Sequence, residues 1–127
     1  MKYLMAGWGA FAVVMSVWMF RAEVDDIVKA LKSGNAESVA AHFDEFIDLR
    51  FPEKEEMKAV SKNQATQALK SFYKDNGIKG FELLSQREMS GTLYMAGKML
   101  SSGKSFSVTL ILRNKEGRFQ IVAMRIN

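Results

Sequence analysis

Few residues in this 127-residue chain have side chains with distinctive chemistry. There is one histidine, His42, and no cysteine. The lack of cysteine excludes disulfides, thiolate catalysis, cysteine-ligated zinc and a lipid-modified cysteine behind a leader. A single histidine rules out a multi-histidine metal centre within one chain. No serine lies in a nucleophile-elbow pattern. Glu53, Glu55 and Glu56 surround Lys54 in a charged connection, but a calcium loop needs alternating oxygen ligands and a central glycine. No cofactor and no metal site are expected from this set.

What remains is acid–base chemistry. His42 has an ordinary pKa near neutrality, and Asp44 and Asp48 follow it closely. Any of the three is a candidate base, with Tyr94 as an oxyanion donor, for an isomerase or dehydratase type of reaction. Such a site requires two of these groups to converge in one cavity. The plainer reading of His42 is a helix C-terminal histidine that interacts with the last carbonyls, and no partner in the sequence argues otherwise. Tyr73, Tyr94, Arg87 and Arg125 are the groups suited to orienting a ligand, and Phe72 is suited to lining its pocket. Against this stand two ordinary alternatives. Aromatic residues at helical spacing are usually core, and arginines at strand ends snorkel into solvent.

These side chains need a scaffold, and the largest part of it is Phe81–Asn127. Four strand-like runs are expected there, at Phe81–Met89, Thr92–Leu100, Ser105–Arg113 and Arg118–Ile126. Between them lie Ser90-Gly91, Ser101–Lys104 and Asn114–Gly117, links so short that neighbouring strands must run antiparallel. Phe106, Val108, Leu110 and Leu112 alternate with mostly polar residues, which gives that strand one strongly apolar face. The last run sets Phe119, Ile121, Ala123 and Arg125 against Gln120, Val122, Met124 and Ile126. Both of its faces are then fairly apolar, as in a central strand. Gly97 permits a bend in the second run.

Upstream, Ile27, Val28 and Leu31 recur at helical spacing, with Asp25 or Asp26 able to cap the first turn. Gly34 ends that helix, and Asn35 caps a second one carrying Val39, Ala40 and Phe43. Phe46–Phe51 reads as a short strand with Ile47, Leu49 and Phe51 on one side and Asp48 and Arg50 on the other. Pro52 ends it. A longer helix is expected over Ser61–Asn76. Ser61 and Gln64 form its capping box, Val60 and Ala65 its staple, and Asn76-Gly77 its stop. Ala65, Ala68, Leu69, Phe72 and Tyr73 make its apolar stripe.

Lys2 precedes an apolar run, Tyr3–Phe20, and no acid occurs before Glu23. A positive start and an apolar segment suit a signal peptide. Cleavage after Ala22 places Phe20 where a small residue is preferred, and Val14 with Ser16 offers a shorter alternative. The run also approaches the length that spans a bilayer, with Trp8 and Trp18 near its ends. Residues 1–22 are thus expected to be a signal peptide or an N-terminal membrane anchor, and residues 23–127 a single α+β domain. The expected location is periplasmic or extracellular, with membrane contact through residues 3–20 where the leader is retained. Setting aside Lys2 and Arg21 lowers the net charge from +4 to +2. That is too mild to argue for nucleic acid.

The succession of bent helix pair, short strand, capped helix and four-strand meander resembles the nuclear transport factor 2-like, or cystatin-like, fold. More narrowly it is similar to an uncharacterised bacterial envelope family with that fold. The resemblance runs over about Val24–Ile126. Its carriers are Asp26–Asn35 (DIVKALKSGN), Ile47–Pro52 (IDLRFP), the Ser61–Tyr73 helix and Met124-Arg125-Ile126. None of these is a catalytic motif. The resemblance implies helices packed on a curved, mainly antiparallel sheet around a conical cavity. Members use that cavity for isomerase, dehydratase or hydrolase chemistry, or for binding ligands or partners, and some dimerise through the sheet. Here the inward positions are mostly Phe, Leu, Ile, Val, Met and Ala. The expectation is therefore an exported, non-catalytic domain that binds a small apolar ligand or an envelope protein, with dimerisation through the sheet also implied. His42, Phe72, Tyr73, Arg87, Tyr94 and Arg125 are its candidate pocket. The alternative is a small cofactor-independent isomerase or dehydratase.

Overall fold

The computed structural model describes residues 23–127, so the expected leader lies outside the described residues. Helix α1 covers residues 23–32, α2 Ala36–Ala40 and α3 Lys62–Asn76. The strands are β1 Phe43–Arg50, β2 Met57–Ser61, β3 Gly80–Met89, β4 Thr92–Ser101, β5 Lys104–Lys115 and β6 Arg118–Ile126. All six form one sheet in the order β2-β1-β6-β5-β4-β3. Only the β1–β6 pair is parallel. This is the expected α+β architecture of helices on a curved, mainly antiparallel sheet.

Local chemistry accounts for the helix ends. Gly34, at φ 70°, turns the chain after α1. A Cβ there would press against the backbone of Lys79, so glycine serves both the turn and a close approach. The Asn35 side chain then accepts hydrogen bonds from the Glu37 and Ser38 amides and caps α2. Ser61 Oγ accepts from the Gln64 amide, which is one half of the expected capping box. Gly77, in the left-handed region, closes α3, and Ile78 N donates to Tyr73 O. Asp25 and Asp26 lie inside α1 rather than at a cap.

Two expectations change in the middle of the chain. Phe43 is not on the second helix but begins β1, fully buried. Helix α2 stops after Ala40 because the next turn tightens, with His42 N donating to Val39 O. The His42 carbonyl then accepts from Ile121 N of β6, so pairing with a distant strand overrides helical periodicity. Met57, expected in a charged connection, instead opens β2, an edge strand with little burial and no alternation to read. Its irregular pairing is held by Asp48, whose Oδ1 accepts from Ala59 N at 2.8 Å beside a left-handed Ala59.

The sheet's inner face forms the core. On β4 and β5 the buried set is Leu93, Met95, Met99, Val108, Leu110 and Leu112. On β6 strict alternation fails. Ile111 pairs with Ala123, yet Leu112 pairs with Ile121, so Val122 is an extra residue in a bulge. The bulge turns Phe119, Ile121, Met124 and Ile126 all inward, and each is at most 3% exposed. The apparent apolarity of both faces of this strand is a register shift rather than two apolar faces. The strand is nevertheless interior to the sheet, between β1 and β5. A second bulge, at Leu84, separates Leu83↔Gly97 from Ser85↔Ala96. Near it a Cβ on Gly97 would collide with the Glu82 carbonyl and stand 2.5 Å from Phe81 Cζ. Gly97 is the seat of the Phe81 ring. From the other side α3 contributes Ala65, Leu69 and Tyr73 to this core, in contact with α2, β1 and β2.

Candidate functional site

The sheet has two dissimilar ends. At one, the β3–β4 and β5–β6 turns lie together, tied by Asn114 N donating to Gly91 O. The described part of α1 begins here, with Glu23 Oε1 accepting from Phe119 N at 2.9 Å, and we call this the entry end. At the other end, β1 and β6 finish side by side, β5 begins and α3 terminates. We call this second end the mouth.

His42 lies at the entry end, half-buried in the turn before β1. Burial depresses its pKa below the usual histidine value, outweighing the opposing pull of Asp26 and Glu23, while Arg118 and Lys62 lower it further. Asp44, nearby on β1, is ion-paired to Lys115. Burial raises the pKa of Asp44. The hydrogen bonds from Lys115 and the Glu45 amide and the charges of Lys115 and Arg113 outweigh that, leaving it below the ordinary aspartate value. Asp48 is occupied by the Ala59 amide. Tyr94 is on the outer face of β4, 41% exposed, with Arg87 of β3 as its cross-strand neighbour. Among the described residues no hydrogen bond joins any two of His42, Asp44, Asp48 and Tyr94. No cluster of acids and histidine there could hold a metal ion.

The mouth is built differently. Phe51 follows β1, Phe72 projects from α3 and Phe106 comes from the start of β5. Phe72 stacks on Phe51 at a centroid distance of 5.2 Å and meets Phe106 edge-on at 5.3 Å. These rings line a cavity of about 540 Å³, with Met57 and Ala68 extending its apolar wall. That volume lies within the range of small-molecule sites. Four charged residues, Glu53, Lys54, Asp75 and Lys104, also line it. The segment carrying Glu53 is anchored by Arg125, whose Nε donates to Glu56 Oε1 at 3.0 Å.

A second hollow, of about 790 Å³, lies on the opposite flank of α3 against the α1–α2 turn. Its walls are polar, with Asn35, Gln67 and Lys74, and the Lys70–Glu37 ion pair at 2.8 Å. Tyr73 lines this side. Its ring is in the core, its hydroxyl is buried with no hydrogen-bond partner among the described residues, and burial raises its pKa.

The six candidate pocket residues thus separate. Phe72 lines the aromatic cavity, and Tyr73, its sequence neighbour, belongs to the core and the polar flank. His42 is at the entry end, Arg87 and Tyr94 are on the outer sheet face, and Arg125 braces the mouth without lining it. Phe51, Phe106 and Met57 line the mouth and were not among the six. The apolar-side assignment of Phe51 and Phe106 in their strands was the one available signal. It does not tell which apolar residues a helix leaves half-covered.

The domain family described as a domain of unknown function (DUF4783) matches residues 24–127. No curated protein matches the chain. Among solved structures, a DUF4783 family protein from Bacteroides ovatus is 22% identical, with a TM-score of 0.73 over 80% of this chain and 90% of that one. Another from Bacteroides uniformis is 18% identical, with a TM-score of 0.74 over 81% and 94%. An NTF2-like protein of unknown function from Burkholderia xenovorans is 16% identical, with a TM-score of 0.62 over 89% and 84%. These likenesses show the fold.

Proposed function

The chain belongs to the DUF4783 family, an uncharacterised family with an NTF2-like fold, and from that footing we propose that it is an exported, non-catalytic domain that binds a small apolar ligand at the mouth. The observation that carries this reading is the cavity of about 540 Å³ walled by Phe51, Phe72 and Phe106. Phe72 and Phe106 are only partly buried, so rings that would normally complete a core are left facing an opening. Export is supported by Lys2 and the apolar run that follows it. The non-catalytic reading is supported by the dispersal of His42, Asp44, Asp48 and Tyr94, since acid–base catalysis needs groups within reach of one reacting centre.

The direct test is native mass spectrometry of the protein recovered from its own cell envelope. A retained small molecule that disappears in Phe72→Ala supports the proposal. Recovery of the protein from the cytosolic fraction overturns the export part. Failure to bind the neutral probe N-phenyl-1-naphthylamine, together with no retained molecule, overturns the binding part.

A second reading is a protein partner, such as a second copy of the chain, docked on the outer sheet face. It is favoured by Tyr94 at 41% and Met89 at 48% exposure on that side. A monomer by light scattering at high concentration counts against self-association.

A further inference from the structure

The edge of the aromatic cavity carries charges of both signs that the protein does not use. Glu53, Lys54, Asp75 and Lys104 all line it, and among the described residues none of the four makes an ion pair. Glu53, at φ 62°, follows Pro52 in a tight turn closed by Lys54 N donating to Phe51 O, and this turn sets Glu53 and Lys54 together at the cavity edge. Asp75 lies in the last turn of α3, where the helix dipole favours cations, so its charge does not serve the helix. Asn76 also lines the cavity, its side chain held by Nδ2 donating to Phe72 O.

We propose that the occupant is an apolar zwitterion, that is, an amino acid or short peptide with a large apolar side chain. This deepens the ligand-binding reading above and rests on it. The side chain fills the cleft between Phe51, Phe72 and Phe106. The ammonium group faces the carboxylates of Glu53 and Asp75, and the carboxylate faces the ammonium groups of Lys54 and Lys104. A purely apolar molecule would leave all four charges idle, whereas a singly charged one would use only half of them. The cavity has room for a dipeptide.

Calorimetric titration of the full protein with Phe-Leu, with N-acetyl-Phe-Leu and with Phe-Leu-amide tests the assignment, with N-phenyl-1-naphthylamine as the apolar reference. Phe-Leu should bind, and removing either terminal charge should weaken binding about three- to fivefold, the scale of an exposed ion pair. Asp75→Asn should reduce the penalty for acetylation, and Lys104→Met should reduce that for amidation. Both residues are exposed, and an unchanged melting temperature serves as the check on folding. If the probe binds while Phe-Leu does not, or if all three peptides bind equally, the zwitterion assignment is overturned and the apolar site stands. If neither probe nor peptide binds, both fall.

Discussion

The entry end and the mouth of the sheet use polar and aromatic residues in opposite ways. At the entry end the ionisable groups are committed to structure. Asp44 pairs with Lys115, Glu23 holds the Phe119 amide, and Asp48, further along β1, holds the Ala59 amide. At the mouth the aromatic groups are packed on one another with Phe72 and Phe106 only partly covered, and among the described residues the charges around them make no ion pair. Of the residues that look catalytic in the sequence, Asp44 and Asp48 are therefore consumed by the fold. The residues that look like ordinary core are the ones it leaves open.

Truncating the mouth should have the largest effect. Phe72→Ala removes both ring contacts and should cost about 2–3 kcal/mol, below the cost for a fully buried phenylalanine. Thermal unfolding checks the stability, and loss of N-phenyl-1-naphthylamine binding checks the site. A stable variant with intact binding would erase the distinction between the ends.

The next effect has the opposite sign. Tyr73→Phe removes a buried hydroxyl with no partner among the described residues and should stabilise the protein by about 1 kcal/mol. Denaturant unfolding reads this directly, and a loss of stability would mean that the hydroxyl is satisfied. At the entry end, Asp44→Asn breaks a pair whose lysine is half-exposed. The expected loss is no more than about 1 kcal/mol, and salt should shrink the difference from wild type.

The last prediction concerns pH. His42 has a depressed pKa in the folded state, so the unfolded chain binds its proton first. Its contribution to stability is complete above the ordinary histidine pKa and is lost as the pH falls from there toward the folded value. Asp44 is also depressed, and its contribution is lost as the pH falls through and below the ordinary aspartate range. Melting temperature against pH should show two descending steps. His42→Gln should flatten only the upper one, without affecting binding at the mouth.

How much of this was readable in advance varies with the physics involved. The four C-terminal strands follow from short glycine turns and alternating side chains, and their observed limits lie close to those expected. Helix α3 follows from Ser61 and Gly77, whose effects act within a few residues. Strand β2 escaped because an exposed edge strand has no apolar face to reveal it. Helix α2 is shorter than its apolar spacing suggests because Phe43 answers to β6, far away in the chain. The β6 bulge at Val122 was visible only as apolarity on both faces, a pattern with two explanations that register alone separates.

The sequence by itself determined the fold class and the lack of thiol chemistry. Those are set by local spacing and by composition. Only the tertiary structure decided that Phe51, Phe72 and Phe106 meet at an opening, and that His42, Asp44, Asp48 and Tyr94 share no hydrogen bond. Convergence depends on how strands register and where a helix stops covering a sheet. Those are long-range choices that no single stretch of residues encodes.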